Sequence, residues 1–204
     1  FIAIEEARKN KFQIDWKKEK IFKPNFIGIK KIELKDISVL RDYIDWTQFF
    51  LSWNLHGIYP KIFDNKVNGK EARTLFNDAN KMLDKIINDN LINAKAIFGI
   101  FPANSNTDDI IIYKDESRIA ILDNFLTLRQ QKEKNVGTPN IALSDYIAPK
   151  NLKLNDYVGC FCVSAGFGSD ELCKKFEEDN DDYSSIMVKA IADRLAEAFA
   201  EYLH

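Results

Sequence analysis

Along residues 41–63, RDYIDWTQFFLSWNLHGIYPKIF, the apolar positions recur with a helical period. Trp46, Phe49, Phe50 and Trp53 fall at i, i+3, i+4 and i+7, one face of a helix. Four large rings on one face bury heavily, because aromatic side chains carry the most apolar area per residue. Gly57 and Pro60 break that element. Residues 69–90 repeat the pattern more plainly. Ala72, Leu75, Phe76, Ala79, Met82, Leu83, Ile86 and Ile87 form one stripe, while Lys70, Arg73, Asn77, Asp84 and Asn88 face away. A third stripe, Ile186, Met187, Ala190, Ile191, Leu195, Ala198, Phe199 and Tyr202, predicts a helix at the end of the chain. Asp36 is placed to cap a short helix through Leu40.

Between these helices the period changes. AKAIFGIFPAN and DDIIIYK predict two neighbouring antiparallel strands, the first closed by Pro102. Residues 117–128 predict a third strand leading into LRQQKEK, and NVGTPN reads as a loop. In DYVGCFCVSAGFG, Val158, Cys160, Cys162 and Ser164 alternate with Tyr157, Gly159, Phe161 and Val163. Both faces are largely apolar, which predicts a central strand. Gly166 and Gly168 match neither G-x-G-x-x-G nor a Walker pattern, and predict a turn into a helix capped by Ser169. Residues 1–30 are charged and loosely patterned. They read as an extended arm on the domain, or a linker from an upstream one.

Composition narrows the classes. The 204 residues suit one large domain or two small ones. With 29 basic and 31 acidic side chains the net charge is −2, which argues against a nucleic-acid binder. No apolar run is long enough for a membrane span. The start, without Met or a signal-peptide core, and the end, in full helical pattern, lead us to expect a segment of something longer. Three cysteines without neighbouring histidines make neither a disulfide framework nor a zinc site. They read as reduced, mostly buried thiols of a cytosolic, cytoplasmic protein.

Two carboxylate features stand out. Asp45 sits among rings, where a charge must be solvated, paired or awaiting a cationic ligand. On composition alone a plain residue of the first helical turn is favoured. In the last helix Lys189, Asp193, Glu197 and Glu201 line up at i, i+4, a solvated face or a row that holds a cation. No nucleophile–base arrangement stands out, so no residue is a catalytic candidate.

Taken together, YIDWTQFFLSWNLHGIYPKIF, LFNDANKMLDKII, GIFPAN with DDIIIY, LRQQKEK and DYSSIMVKAIADRLAEAFAEYLH resemble the activation domain of cobalamin-dependent methionine synthase. ARKNKFQIDW resembles the linker that follows that family's cobalamin module. The resemblance implies an α+β fold: a C-shaped domain with a twisted, mainly antiparallel central sheet flanked by helices. It implies an arm over 1–30 and an activation domain over 31–204, truncated at its C-terminal end. The family's function would follow: S-adenosylmethionine binding in support of reductive remethylation of cob(II)alamin. The whole enzyme transfers a methyl group from 5-methyltetrahydrofolate to homocysteine through methylcobalamin. Cobalamin and zinc belong to other modules, and the partners are the cobalamin-binding module and a flavodoxin-type electron donor. Asp45, in the matching YIDW motif, would bind the ligand's amino group, and Glu197, in RLAEAF, would line the same groove. His56 would be structural, since the family's cobalt-binding histidine lies in the cobalamin module. The family's R-x-x-x-G-Y-P motif, whose arginine holds the ligand's carboxylate, does not occur in these residues. The alternative is a docking module for the cobalamin module and flavodoxin that binds no ligand itself.

Overall fold

Asp36 and Asp45 start two successive helical turns by the same device, a carboxylate accepting backbone N–H groups that have no partner inside the helix. Asp36 accepts from Ser38 N at 2.8 Å and opens a 3-10 turn, Ile37–Tyr43. Asp45 opens α2, Trp46–Ser52. These elements come from a computed structural model that describes all residues, Phe1 to His204. In chain order the remaining elements are α1 (Ile4–Lys9), β1 (Gly28–Leu34), α3 (Gly69–Asn88), β2 (Asn93–Asn106), β3 (Asp109–Tyr113), β4 (Ile121–Leu126), β5 (Asp156–Phe167), α4 (Ser169–Glu178) and α5 (Asp182–Leu203). The strands form one open sheet in the order β1-β2-β3-β4, with β5 pairing β2, and β3 is antiparallel to both β2 and β4. The mixed helix-and-strand class expected from the sequence is the one observed.

The chain divides into two compact units, Phe1–Lys30 with Phe98–Phe161 and Lys31–Ile97 with Cys162–His204. In the second unit, Phe49 and Phe50 are fully buried and Trp46 nearly so. Trp46 meets Phe76 at 4.7 Å between ring centroids and Phe49 at 5.3 Å, both edge-on, as the ring quadrupoles favour. α3 buries Ala72, Leu75, Ala79, Leu83 and Ile86, and α5 buries Met187, Val188, Ile191, Leu195, Ala198 and Phe199. Each large apolar side chain removed from water contributes about 1.5–3 kcal/mol, so these helices are held by their inward faces rather than by propensity. Ala94 and Ala96 of β2 belong to this core while Lys95 and Ile97 point outward, giving the alternation of a half-covered sheet.

The predicted stripe of α5 needs two changes. Ile186 is 53% exposed and Val188 takes the inward position, because at 100° per residue the buried arc centres on Met187, Ile191 and Leu195. Tyr202 is only partly covered, its ring lying edge-on against Tyr43 at 5.6 Å. The thiols also differ from expectation: Cys173 is buried, but Cys160 is half-buried and Cys162 exposed.

Pro102 does not end its strand. β2 runs on to Asn106, and its pairing with β3 begins at Ala103↔Ile112, one residue after the proline, so the missing N–H is not needed there. β2, not β5, is the central strand, since β5 pairs only β2. Alternation of small residues such as Gly159, Cys160 and Cys162 gave β5 an apolar look without the bulk to fill two faces.

In the first unit the segment 1–30 is not featureless. It carries α1, and Arg8 pairs with Asp108 at 2.7 Å. Asn10 donates to Asn140 Oδ1 at 2.7 Å and to Thr138 O at 2.9 Å. Ile110, Ile111, Ile112 and Tyr113 of β3 are buried.

Gly168, not Ser169, is the residue before α4. Its φ is +99°, and a Cβ there would run into the carbonyl oxygen of Leu91. The Ser169 hydroxyl instead donates to Gly166 O at 2.7 Å. Gly168→Ala is expected to destabilise the protein by about 2 kcal/mol, from backbone strain plus the clash, as read from the midpoint of chemical unfolding. An unchanged midpoint would show that the turn relaxes freely.

Candidate functional site

Asp45 is exposed at the start of α2. Both of its hydrogen bonds use one oxygen: Oδ1 accepts from Thr47 N at 2.9 Å and Gln48 N at 3.4 Å. Oδ2 has no partner within the chain. The carboxylate is therefore a helix cap on one side and an open anionic acceptor on the other. The two readings of Asp45 are compatible, because a carboxylate has about four acceptor positions and the cap uses few of them. Thr47 Oγ1 accepts from Tyr59 N at 3.2 Å, which fixes the following turn beside the cap.

Glu197 lies on α5, which packs against both the 3-10 turn and α2. The edge-on Tyr43–Tyr202 pair ties the residues just before Asp45 to the last turn of that helix. Glu197 is 61% exposed and is gripped from its own helix: Arg194 Nη1 donates to Oε2 at 2.6 Å and Nη2 to Oε1 at 3.1 Å. Arg194 also reaches Asp193 at 2.6 Å and is itself only 12% exposed. Burial pulls the Arg194 guanidinium down, but Asp193 and Glu197 outweigh it and hold its pKa above the ordinary value. Two carboxylates of the row, Asp193 and Glu197, thus find their cation inside the helix. Lys189 does not serve, because its ammonium pairs with Glu177 at 3.1 Å.

The structure brings the elements carrying Asp45 and Glu197 together and leaves both carboxylates on open surface. Two grooves of this unit, of about 640 and 440 Å³, are lined by other residues. His56 is exposed. Burial pushes the Cys160 thiol up, which favours its protonated form. No group of three or more His, Cys, Asp or Glu side chains is arranged to hold a metal ion.

A family model described as the activation domain of vitamin B12 dependent methionine synthase matches residues 36–204. The chain belongs to that family. A crystal structure described as the MetH reactivation domain bound to AdoHcy agrees with it at a TM-score of 0.92 and 47% sequence identity. The match covers 100% of this chain and 62% of the other, so the chain spans less than two thirds of that protein's length. Within this activation domain the sequence missed two features. The Arg194 fork was open to view, since Arg194 and Glu197 stand at i, i+3, a spacing that brings side chains together on a helix. The buried Arg129 in LRQQKEK carried no such local signal. Its side chain is wholly buried and pairs with Asp108 at 2.7 Å and Asp145 at 2.7 Å.

Proposed function

We propose that this activation domain binds S-adenosylmethionine and its product S-adenosylhomocysteine, with Asp45 taking the ligand's ammonium group on Oδ2 and Glu197 bordering the same surface. The observation that carries the reading is the match along the whole chain, at 47% identity, to a reactivation domain with AdoHcy bound. The geometry supports it: a carboxylate oxygen without a partner, on a residue fixed by its other oxygen, is preorganised for a charge-assisted bond. In this reading residues 1–30 connect to a cobalamin-binding module and a flavodoxin-type donor supplies an electron during reductive remethylation. Cobalamin, when that module presents it, supplies the nucleophile for the ligand's methyl group. The leaving group is a neutral thioether, so the chain needs no general base, and its task is to hold the sulfonium methyl in position.

A docking module without ligand is favoured by one observation: both oxygens of Glu197 already accept from Arg194. Calorimetric titration separates the two. Saturable binding of S-adenosylmethionine and S-adenosylhomocysteine supports the ligand reading. Absence of heat up to millimolar concentration, with the fold intact by circular dichroism, supports docking alone.

A further inference from the structure

Tyr59 is tied twice to the helical turn that Asp45 begins. Its N–H donates to Thr47 Oγ1 at 3.2 Å, and Thr47 N in turn donates to Asp45 Oδ1 at 2.9 Å. Its ring lies on Phe76, with centroids 5.5 Å apart and planes at 26°. Phe76 meets Trp46, the residue after Asp45, at 4.7 Å. Backbone and ring therefore both hold Tyr59 beside the cap.

That ring is fixed but not enclosed. Phe63 closes on it edge-on, at 5.7 Å and 86°. Tyr59 is nevertheless 37% exposed, and Ile58 before it is 69% exposed. With Phe76 stacked on one side, the second face of the ring is left for a partner. The other rings near Asp45 offer less. Trp46 and Phe49 are buried, while Tyr43 and Tyr202 already engage each other edge to face at 5.6 Å and 85°. A held ring with a free face takes up a second aromatic plane at little cost in conformational entropy.

Resting on the S-adenosyl ligand proposed above, we propose that Tyr59 is the platform on which the ligand's adenine stacks, and so a specificity-determining residue. The ligand carries an ammonium at its amino-acid end and a planar aromatic base at the other. Asp45 Oδ2, which has no partner within the chain, takes the ammonium. Tyr59 takes the base, extending the stack of Phe76 and Tyr59 by one ring. Thr47 is a positioning residue, since by accepting the Tyr59 N–H it sets the spacing between carboxylate and ring. Stacking reads the π-face of the base and is blind to the sulphur, so S-adenosylmethionine and S-adenosylhomocysteine depend on Tyr59 alike.

Titration calorimetry of the unaltered chain, Tyr59→Phe and Tyr59→Leu tests this. The ligands are S-adenosylhomocysteine and its analogue lacking the α-amino group. Tyr59→Phe keeps the ring and is expected to bind within about twofold of the unaltered chain. Tyr59→Leu is expected to weaken both ligands alike, by about tenfold, because the base is common to them. Circular dichroism checks the fold of both variants. In the unaltered chain the adenine H2 and H8 resonances are expected to move upfield on binding, under the ring current of Tyr59. Tyr59→Leu loses that shift, and should leucine unfold the chain, the shift in the unaltered chain and Tyr59→Phe decides alone. Leucine binding as tightly as phenylalanine, or adenine resonances that do not move upfield, overturns the proposal. An unaltered chain that binds no S-adenosylhomocysteine overturns the ligand reading and this proposal with it. A loss in Tyr59→Leu beside unchanged binding by Asp45→Asn supports Tyr59 and withdraws Asp45 alone.

Discussion

Arg129→Met is expected to destabilise the unit formed by Phe1–Lys30 and Phe98–Phe161 by about 3–5 kcal/mol, the cost of leaving buried carboxylates without their cation. The Arg129 side chain is wholly buried and its five donors are nearly all used. Nε reaches Asp108 at 2.7 Å, Nη1 reaches Asn140 O at 2.7 Å and Asp145 Oδ2 at 2.8 Å, and Nη2 reaches Asp145 Oδ1 at 2.7 Å. Asp145, only 2% exposed at its side chain, also accepts from Ala142 N at 3.0 Å. The cluster ties together segments whose own secondary structure is slight. Arg129→Lys is not a conservative change, since an ammonium cannot reproduce the fork. Hydrogen exchange of peptides from 98–161, read against urea, measures the loss. Protection equal to that of the unaltered chain would mean that the cluster contributes nothing net.

The same cluster sets a pH dependence. Burial pushes the Asp108 carboxyl up, but Arg8 and Arg129 outweigh it and hold its pKa below the ordinary value. A carboxyl depressed in the folded state contributes stability that is present above the unfolded pKa, about 4, and lost as pH falls through the lower folded value. Without Arg129, burial weighs more heavily on Asp108, and protonation relieves the variant. The gap between Arg129→Met and the unaltered chain is therefore expected to be largest near neutral pH and to narrow on acidification. A gap that widens below pH 4 would contradict the sign of this argument.

These effects rest on contacts that no local pattern reveals. LRQQKEK shows no apolar period of its own, yet its arginine is among the most buried polar groups because its partners lie at Asp108 and Asp145. The segment 1–30 looks loose for the same reason: Arg8 and Asn10 are fixed by residues 100 or more positions away. By contrast, α2, α3 and α5 were legible because burial repeats at the helical period, and one-sided packing is what that period records. The rank of β5 in the sheet was not legible, since alternation says that a strand forms but not how many neighbours it has. At the candidate site, the cap formed by Asp45 could be read from its place before Trp46. That its second oxygen stays open is a fact of three-dimensional arrangement alone.

Asp45 carries the largest expected effect on ligand binding. Asparagine is as good a helix cap as aspartate, so Asp45→Asn is expected to leave stability within about 0.5 kcal/mol, whereas Asp45→Ala costs about 1 kcal/mol through the lost cap. Only the charge offered to the ammonium distinguishes aspartate from asparagine. Its loss is expected to cost roughly 1.5–3 kcal/mol of binding, or about ten- to a hundredfold in affinity. A purely structural Asp45 predicts the reverse pattern, in which Asp45→Ala affects folding and neither variant affects ligand.

The most direct measurement is a thermodynamic cycle by titration calorimetry. The unaltered chain and Asp45→Asn are each titrated with S-adenosylhomocysteine and with its analogue lacking the α-amino group. If Asp45 holds the ammonium, removing the amine weakens binding to the unaltered chain by about ten- to a hundredfold, and Asp45→Asn erases most of that difference. If instead the amine matters equally to both proteins, or Asp45→Asn binds S-adenosylhomocysteine as tightly as the unaltered chain, the carboxylate is a helix cap and no more.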